Sequence, residues 1–288
     1  MNIHSIIDNV SISLGSLFIS KYFRDGTKSS DIKEHLDSTI VKLPAINGEG
    51  DYKVSSETVN GKLDAFFRIA QWKGDKYPTI IYHHGASEIP FDFAFNKIFS
   101  IKNNNIKANL ILIRAPYHAS RQDFKAGMST LNNFMAMLAT SISLIEELIV
   151  FLREQDIQKI AVAGSSLGGY ISNIHHIYYN SADLYIPLLA GFNLYDTLFE
   201  SIYNKGVANI EKNRKKELSV ILNFQEEFKN LNNEKNKVFP LLGENDQLVR
   251  YEVQKESYGD CPIKTYNFGH VTGALSYRKL REHILEVL

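Results

Sequence analysis

Ser166 is the residue whose surroundings most directly suggest chemistry. It sits within Gly164-Ser165-Ser166-Leu167-Gly168, between an apolar run that ends at Ala163 and a helical stretch that starts near Gly169. A serine at the tip of a strained strand-to-helix turn is presented as a nucleophile. Glycine is needed on either side because a β-carbon there would crowd the neighbouring strand or helix. The helix that follows aims its N-terminus at the same point, so the Leu167 N–H is placed to donate to an oxyanion. The chemistry this implies is attack of a hydroxyl on a carbonyl, which needs a base for the hydroxyl proton. A plain glycine-rich turn is the alternative.

Such a turn must be carried by a sheet, and the sequence supplies one. Short apolar runs at Thr79–Tyr82, Asn109–Ile113, Lys159–Ala163, Leu184–Leu189, Val238–Leu242 and Ile263–Phe268 have the composition of buried parallel strands. Helix-compatible sequence alternates with them, which predicts an α/β fold with a mostly parallel, doubly wound central sheet and helices on both faces. Residues 51–72 read as an antiparallel hairpin at one edge, turning at Asn60-Gly61. Ile3, Ile6, Ile7, Val10, Leu14, Leu17 and Phe18 follow helical spacing, so the chain is expected to open with a helix packed on the domain. The segment Leu131–Leu152 is the most apolar, but its asparagines, serines and glutamates are foreign to lipid; it reads as a core-facing amphipathic helix rather than a membrane span. A last helix is expected from about Ala274 to Val287.

The motif and its setting resemble the α/β-hydrolase family of serine hydrolases from roughly Tyr77 to the C-terminus. That family places nucleophile, acid and histidine in this chain order. The resemblance implies His270 as the base, since Gly269-His270 follows the final strand, and Asp246 as the acid, in Gly243-Glu244-Asn245-Asp246-Gln247-Leu248-Val249. Glu244 and Asp196 are the alternatives for the acid. A neutral imidazole accepts the Ser166 proton when its other nitrogen is held, the role Asp246 would fill. His83-His84-Gly85-Ala86 resembles the family's HG motif, which assigns the second oxyanion N–H to Ala86. No phosphate-binding GxGxxG or P-loop pattern occurs, so no cofactor is expected, and no metal either.

His84, His118 and Arg121 are candidates for holding a substrate group, Arg121 because a guanidinium can grip a carboxylate or phosphate with two parallel bonds. Bracing of the loop is the alternative for His118 and Arg121. Phe91, Phe93 and Phe95 are candidates for an acyl pocket, with ordinary packing as the competing fate. His175 and His176 lack metal-ligand spacing and read as structural.

At 288 residues, one domain suffices: residues 1–48 form a helical extension, and residues 193–236 form a helical cap insertion over the site. An ordinary connection with surface decoration is the alternative for the latter. Lys plus Arg equals Asp plus Glu at 32 each, so no overall field draws the chain to nucleic acid, and a small acyl compound is the expected partner. Homo-oligomerisation is left open. Cys261 is the only cysteine and no signal-peptide pattern opens the sequence, so a cytoplasmic location is expected. The functional expectation is hydrolysis of carboxylic esters or related acyl bonds. An acyltransferase, a peptidase with the same triad, and a non-catalytic binding protein are the alternatives.

Overall fold

The computed structural model describes residues 2–18, 21–231 and 236–288, the side chains of residues 15–18 excepted. Among these residues nine strands form one sheet: β1 (Ile40–Lys42), β2 (Gly50–Thr58), β3 (Gly61–Gln71), β4 (Thr79–His83), β5 (Asn109–Arg114), β6 (Ile160–Ser165), β7 (Leu184–Leu188), β8 (Leu241–Gly243) and β9 (Lys264–Tyr266). Their order is β1-β2-β3-β5-β4-β6-β7-β8-β9. The first three strands run antiparallel and β3 pairs antiparallel with β5; from β5 to β9 every pairing is parallel.

Period-two alternation divides the strand side chains between two cores. Ile81, Ile111, Ile113, Val162 and Tyr185 point to one face. There they pack with α5 (Leu131–Glu154) and α6 (Leu167–Tyr178). Ile80, Tyr82, Leu110, Leu112, Ala161, Ala163, Ile186 and Leu188 point to the other. They meet α3 (Phe93–Phe99) and α11 (Tyr277–Val287). Because both faces are covered, the strands read as near-continuous apolar runs. Helix α5 buries Leu131, Phe134, Leu138, Ile142, Ile145, Leu148, Ile149 and Leu152 in the first core, as its spacing predicts.

Several expectations shift. The hairpin turns one residue early: Thr58 pairs with Gly61 across Val59 and Asn60, and Gly61 takes the positive φ of +87°. The strand expected at Val238–Leu242 starts at Leu241, with only an isolated bridge from Val238 to Tyr185. Pro240 precedes it, and proline has no N–H to give a ladder. The closing helix expected from about Ala274 is α11, which starts at Tyr277, and a separate short helix, α10 (His270–Ala274), precedes it across Leu275 and Ser276. Residues 1–48 are not only helical: besides α1 (Ile3–Phe18) and α2 (Ile32–Asp37) they supply β1, the edge strand.

Helix α1 is turned the other way from its apolar pattern. Ile3, Ile6, Val10 and Leu14 face solvent, whereas Asp8 is fully buried. The side chains of Leu17 and Phe18 lie outside the described residues.

Two helices fill gaps in the sequence reading: α4 (Arg121–Gly127) after β5, and α9 (Tyr251–Tyr258) after β8. Residues 193–236 carry a π-turn at Asp196–Glu200, a 3-10 turn at Ile202–Gly206, α7 (Lys212–Ile221) and α8 (Gln225–Lys229), with no named strand among the described residues. Positions 232–235 lie outside those.

Candidate active site

Strand β6 ends at Ser165 and α6 begins at Leu167, leaving Ser166 alone at the turn with φ +54° and ψ −111°. A non-glycine residue in that region is strained by roughly 1–3 kcal/mol, which the surrounding packing must enforce. Three glycines make the close packing feasible. A β-carbon on Gly164 would lie 2.8 Å from the Cα of Gly168, one on Gly168 would lie 2.7 Å from the His83 carbonyl carbon, and one on Gly169 would lie 2.5 Å from the Ala190 Cβ. The Ser166 N–H is tied to the Leu188 carbonyl at 2.8 Å, which fixes the turn against β7.

The structure brings the sequence-predicted Ser166, His270 and Asp246 into one hydrogen-bonded chain. Ser166 Oγ lies 3.0 Å from His270 Nε2, and His270 Nδ1 lies 2.7 Å from Asp246 Oδ2. The other carboxylate oxygen, Oδ1, accepts the Leu248 and Val249 N–H groups at 2.8 and 2.7 Å, so Asp246 is held rigidly by its own loop. With Nδ1–H donated to the carboxylate, Nε2 is left as the acceptor that faces the serine.

His270 and Asp246 are both buried. Burial disfavours the imidazolium. The attraction and hydrogen bond of Asp246, with the charge of Asp8 added, outweigh it and raise the His270 pKa above its usual value. Burial pushes the Asp246 carboxyl up in turn, against the pull of His270.

Leu167 is the first residue of α6, and Ala86 follows Gly85, whose β-carbon position would lie 3.7 Å from the Ser166 Cβ. The HG turn and the serine turn therefore abut. Among the described residues, neither the Leu167 nor the Ala86 N–H meets a protein acceptor. Glu88 organises the HG turn from behind, accepting the Gly85 N–H at 2.8 Å and the Ala94 N–H at 3.2 Å. Burial pushes its pKa up to about 7, although those two N–H groups favour the charged form.

His84 and His118 do not fit the expected substrate-binding role. His84 is fully buried; its Nδ1–H donates to the Gly85 carbonyl at 2.7 Å, and its Nε2 accepts the Ala115 N–H at 3.1 Å. That second bond needs an unprotonated nitrogen, and burial beside His118 and His83 holds the pKa well below the usual value. The ring thus ties the end of β4 to the end of β5. His118 is buried with Nδ1 at 3.0 Å from the Pro116 carbonyl and Nε2 at 2.8 Å from that of Ala86. It braces the loop, because both nitrogens are turned to backbone and none to open space. Arg121 is exposed in the first turn of α4.

Both alternatives for the acid are engaged elsewhere. Asp196 pairs with Arg250, its Oδ2 accepting from Nε at 3.1 Å, and Glu244 is exposed and accepts the Thr265 hydroxyl at 3.0 Å. Phe95 is buried among Tyr82 and Phe99, Phe91 packs on Phe66, and Phe93 is half exposed beside Tyr277, so the three do not form one pocket wall. His175 lies against Tyr185 and Glu146, and His176 against Asn180, as structural residues.

Sequence reasoning missed Asp8. Its carboxylate accepts the backbone N–H groups of Gln247, His270 and Val271 at 3.1, 2.7 and 2.9 Å. The available signal was a single carboxylate in a helix whose other residues are apolar or polar without negative charge, with no lysine or arginine among them.

No family model matches the sequence, and no curated protein does either. Solved structures do. Acetyl xylan esterase 1 from a Thermoanaerobacterium species superimposes with a TM-score of 0.60 at 15% identity, over 92% of this chain and 96% of that one. The Pyrococcus furiosus esterase Pf2001 gives 0.55 at 15% identity, over 85% and 97%. An acylaminoacyl peptidase from Pyrococcus horikoshii gives 0.56 at 15% identity over 84% of this chain, which spans only 41% of the peptidase. The expected fold is borne out: the chain has the α/β-hydrolase fold.

Proposed function

We propose that this α/β-hydrolase-fold chain is a serine hydrolase acting on carboxylic esters or closely related acyl bonds. The observation that carries the reading is the unbroken chain from Ser166 Oγ through His270 to Asp246, with both links at 3.0 Å or less and the serine held at a strained turn. Fold likeness to esterases adds support at the level of architecture.

In this mechanism Ser166 Oγ attacks the substrate carbonyl as its proton passes to His270 Nε2. The imidazolium is stabilised by Asp246, which stays ionised. The tetrahedral oxyanion accepts the Leu167 and Ala86 N–H groups, each worth on the order of 3 kcal/mol of barrier. His270 then protonates the leaving alcohol, giving an acyl-Ser166 ester. Water, deprotonated by the same nitrogen, hydrolyses that ester and restores the serine.

The reading includes a cap role for residues 193–236. The Tyr170 hydroxyl on α6 meets Thr197 Oγ1 at 2.6 Å, and Asp196 pairs with Arg250 just past the acid loop. The segment is thus anchored to the two elements that carry Ser166 and Asp246.

A fluorophosphonate probe tests the proposal, because it phosphonylates only an activated serine. Wild type should label at a single site. Ser166→Ala should abolish labelling, and His270→Ala should slow it by on the order of 10³-fold or more. Folded wild-type protein that does not label, or a Ser166→Ala variant that labels as well as wild type, would overturn it.

A further inference from the structure

Helix α1 comes from the far end of the chain, yet it is sewn to both loops that present the acid and the histidine. Ser5 Oγ donates to the Asn245 carbonyl at 3.3 Å and receives Gln247 Nε2 at 3.3 Å. His4 Nδ1 meets Thr272 Oγ1 at 2.9 Å, and Asn2 meets Asn267 at 3.1 Å. Between these contacts sits Asp8, fully buried and, among the described residues, without a cationic side chain bonded to it.

A buried carboxylate is tolerated only when its oxygens are satisfied, and three backbone N–H groups do that here. One belongs to the residue after Asp246; the other two open α10 at His270 and Val271. Those two would otherwise be orphan donors of the helix start. A single side chain therefore holds the acid loop and the histidine loop in one register. Gly269 is the counterpart of this arrangement, since a β-carbon there would lie 2.7 Å from Asp8 Oδ2 and 2.8 Å from the His4 carbonyl oxygen. The glycine before the histidine is what lets α1 seat.

We propose that Asp8 is a positioning residue for the His270–Asp246 pair, with α1 acting as a clamp across their two loops. The proposal rests on the serine hydrolase reading for its consequence in catalysis, but not for its geometry. Two effects follow. Bonds to the His270 and Gln247 N–H groups fix the ring and the acid loop relative to each other. The buried negative charge also favours the imidazolium formed when the serine proton moves.

The groups that face His270 are Asp246 from the β8 loop, Asp8 from α1 and the Ser166 hydroxyl. His4 on α1 lies one turn further along, bonded to Thr272. Labelling requires neutral His270, so the acid limb of its pH profile reports that ring. Removing the Asp8 charge lowers the tendency of the ring to hold a proton and moves the limb to lower pH.

The test compares wild type, Asp8→Asn, Asp8→Ala and the solvent-facing control Val10→Ala. Fluorophosphonate labelling rate is followed against pH, alongside an NMR titration of the His270 ring. Asp8→Asn should shift both midpoints down by on the order of one pH unit. Its plateau labelling rate should fall by about 10²-fold, the penalty of a catalytic group moved by about 1 Å. Val10→Ala should match wild type in both. Asp8→Asn with wild-type midpoints and plateau would overturn the proposal, and it keeps the test decisive should Asp8→Ala fail to fold. If wild type does not label through Ser166, the hydrolase reading fails; the ring titration alone then decides the role of Asp8.

Discussion

Replacing Gly168 by alanine tests the packing that creates the serine turn. The added β-carbon would sit 2.7 Å from the His83 carbonyl carbon and 2.9 Å from the His84 carbonyl oxygen, and closer still to the His83 oxygen. Ordinary contact begins near 3.4 Å, so the shortfall at the carbonyl carbon alone is about 0.7 Å. All three atoms are backbone at the end of β4, a central strand paired on both sides, so no side chain can swing away. Helix α6 must move instead. Overpacking of this kind costs about 1–3 kcal/mol, and a backbone-on-backbone clash belongs at the upper end. A loss of about 3 kcal/mol corresponds to a fall in Tm of roughly 5 °C for a chain of this size.

Function should suffer more than stability, because α6 carries the Leu167 N–H and its first residue adjoins Ser166. A displacement approaching 1 Å breaks the 3.0 Å link to His270 and lowers the labelling rate by about 10²-fold. Thermal melting and fluorophosphonate labelling would be measured together. Gly206→Ala serves as control, since no atom of the described residues lies within 4 Å of its β-carbon position, and it should change stability by no more than about 0.5 kcal/mol. A Gly168→Ala protein that melts and labels like wild type would refute the reasoning.

Asp246→Asn should keep the fold, since the remaining oxygen can still accept from Leu248 and Val249, while labelling falls by on the order of 10⁴-fold. The amide nitrogen would face His270 Nδ1 and select the tautomer whose Nε2 already carries a proton; a loss below tenfold would contradict that tautomer argument. Acid should destabilise the protein below pH 6.5. Burial holds His83 at about 3 and His84 well below its usual value. The unfolded chain therefore takes up protons from pH 6.5 downward while the native state refuses them, and stability is lost as pH falls across that window. Each such histidine contributes about 1.4 kcal/mol per pH unit. Urea midpoints that stay level between pH 7.5 and 5 would disprove it.

Much of the candidate site could be read from local sequence because its parts are local. The Gly164–Gly168 turn, the strand before it and the helix after it are contiguous, and the steric demand for glycine acts between residues four apart. His270 and Asp246 stand just beyond short apolar runs, in the places where the family they resemble carries its histidine and acid, so position and resemblance together made them candidates. The helix over 131–154 and the central strands were legible for the same reason, since 3.6- and 2-residue periods survive in the linear order.

Other features depend on residues far apart. The three-residue strand β1 carries no periodicity, and Pro240 shortened a run whose apolar content extended past it. His84 and His118 looked free to meet a substrate until Ala115, Pro116 and Ala86 supplied backbone partners. In α1 the apolar pattern pointed to the wrong face, because the hydrophobic stripe was outweighed by three N–H groups that need a buried carboxylate.

The sequence alone determined the sheet class, the serine turn and the chain order of serine, acid and histidine. Only the tertiary structure decided which of Asp246, Asp196 and Glu244 meets His270, and that Asp8, 262 positions away, holds that loop in place. Propensity and periodicity act over a few residues, whereas the satisfaction of a buried polar group depends on whatever the fold brings beside it.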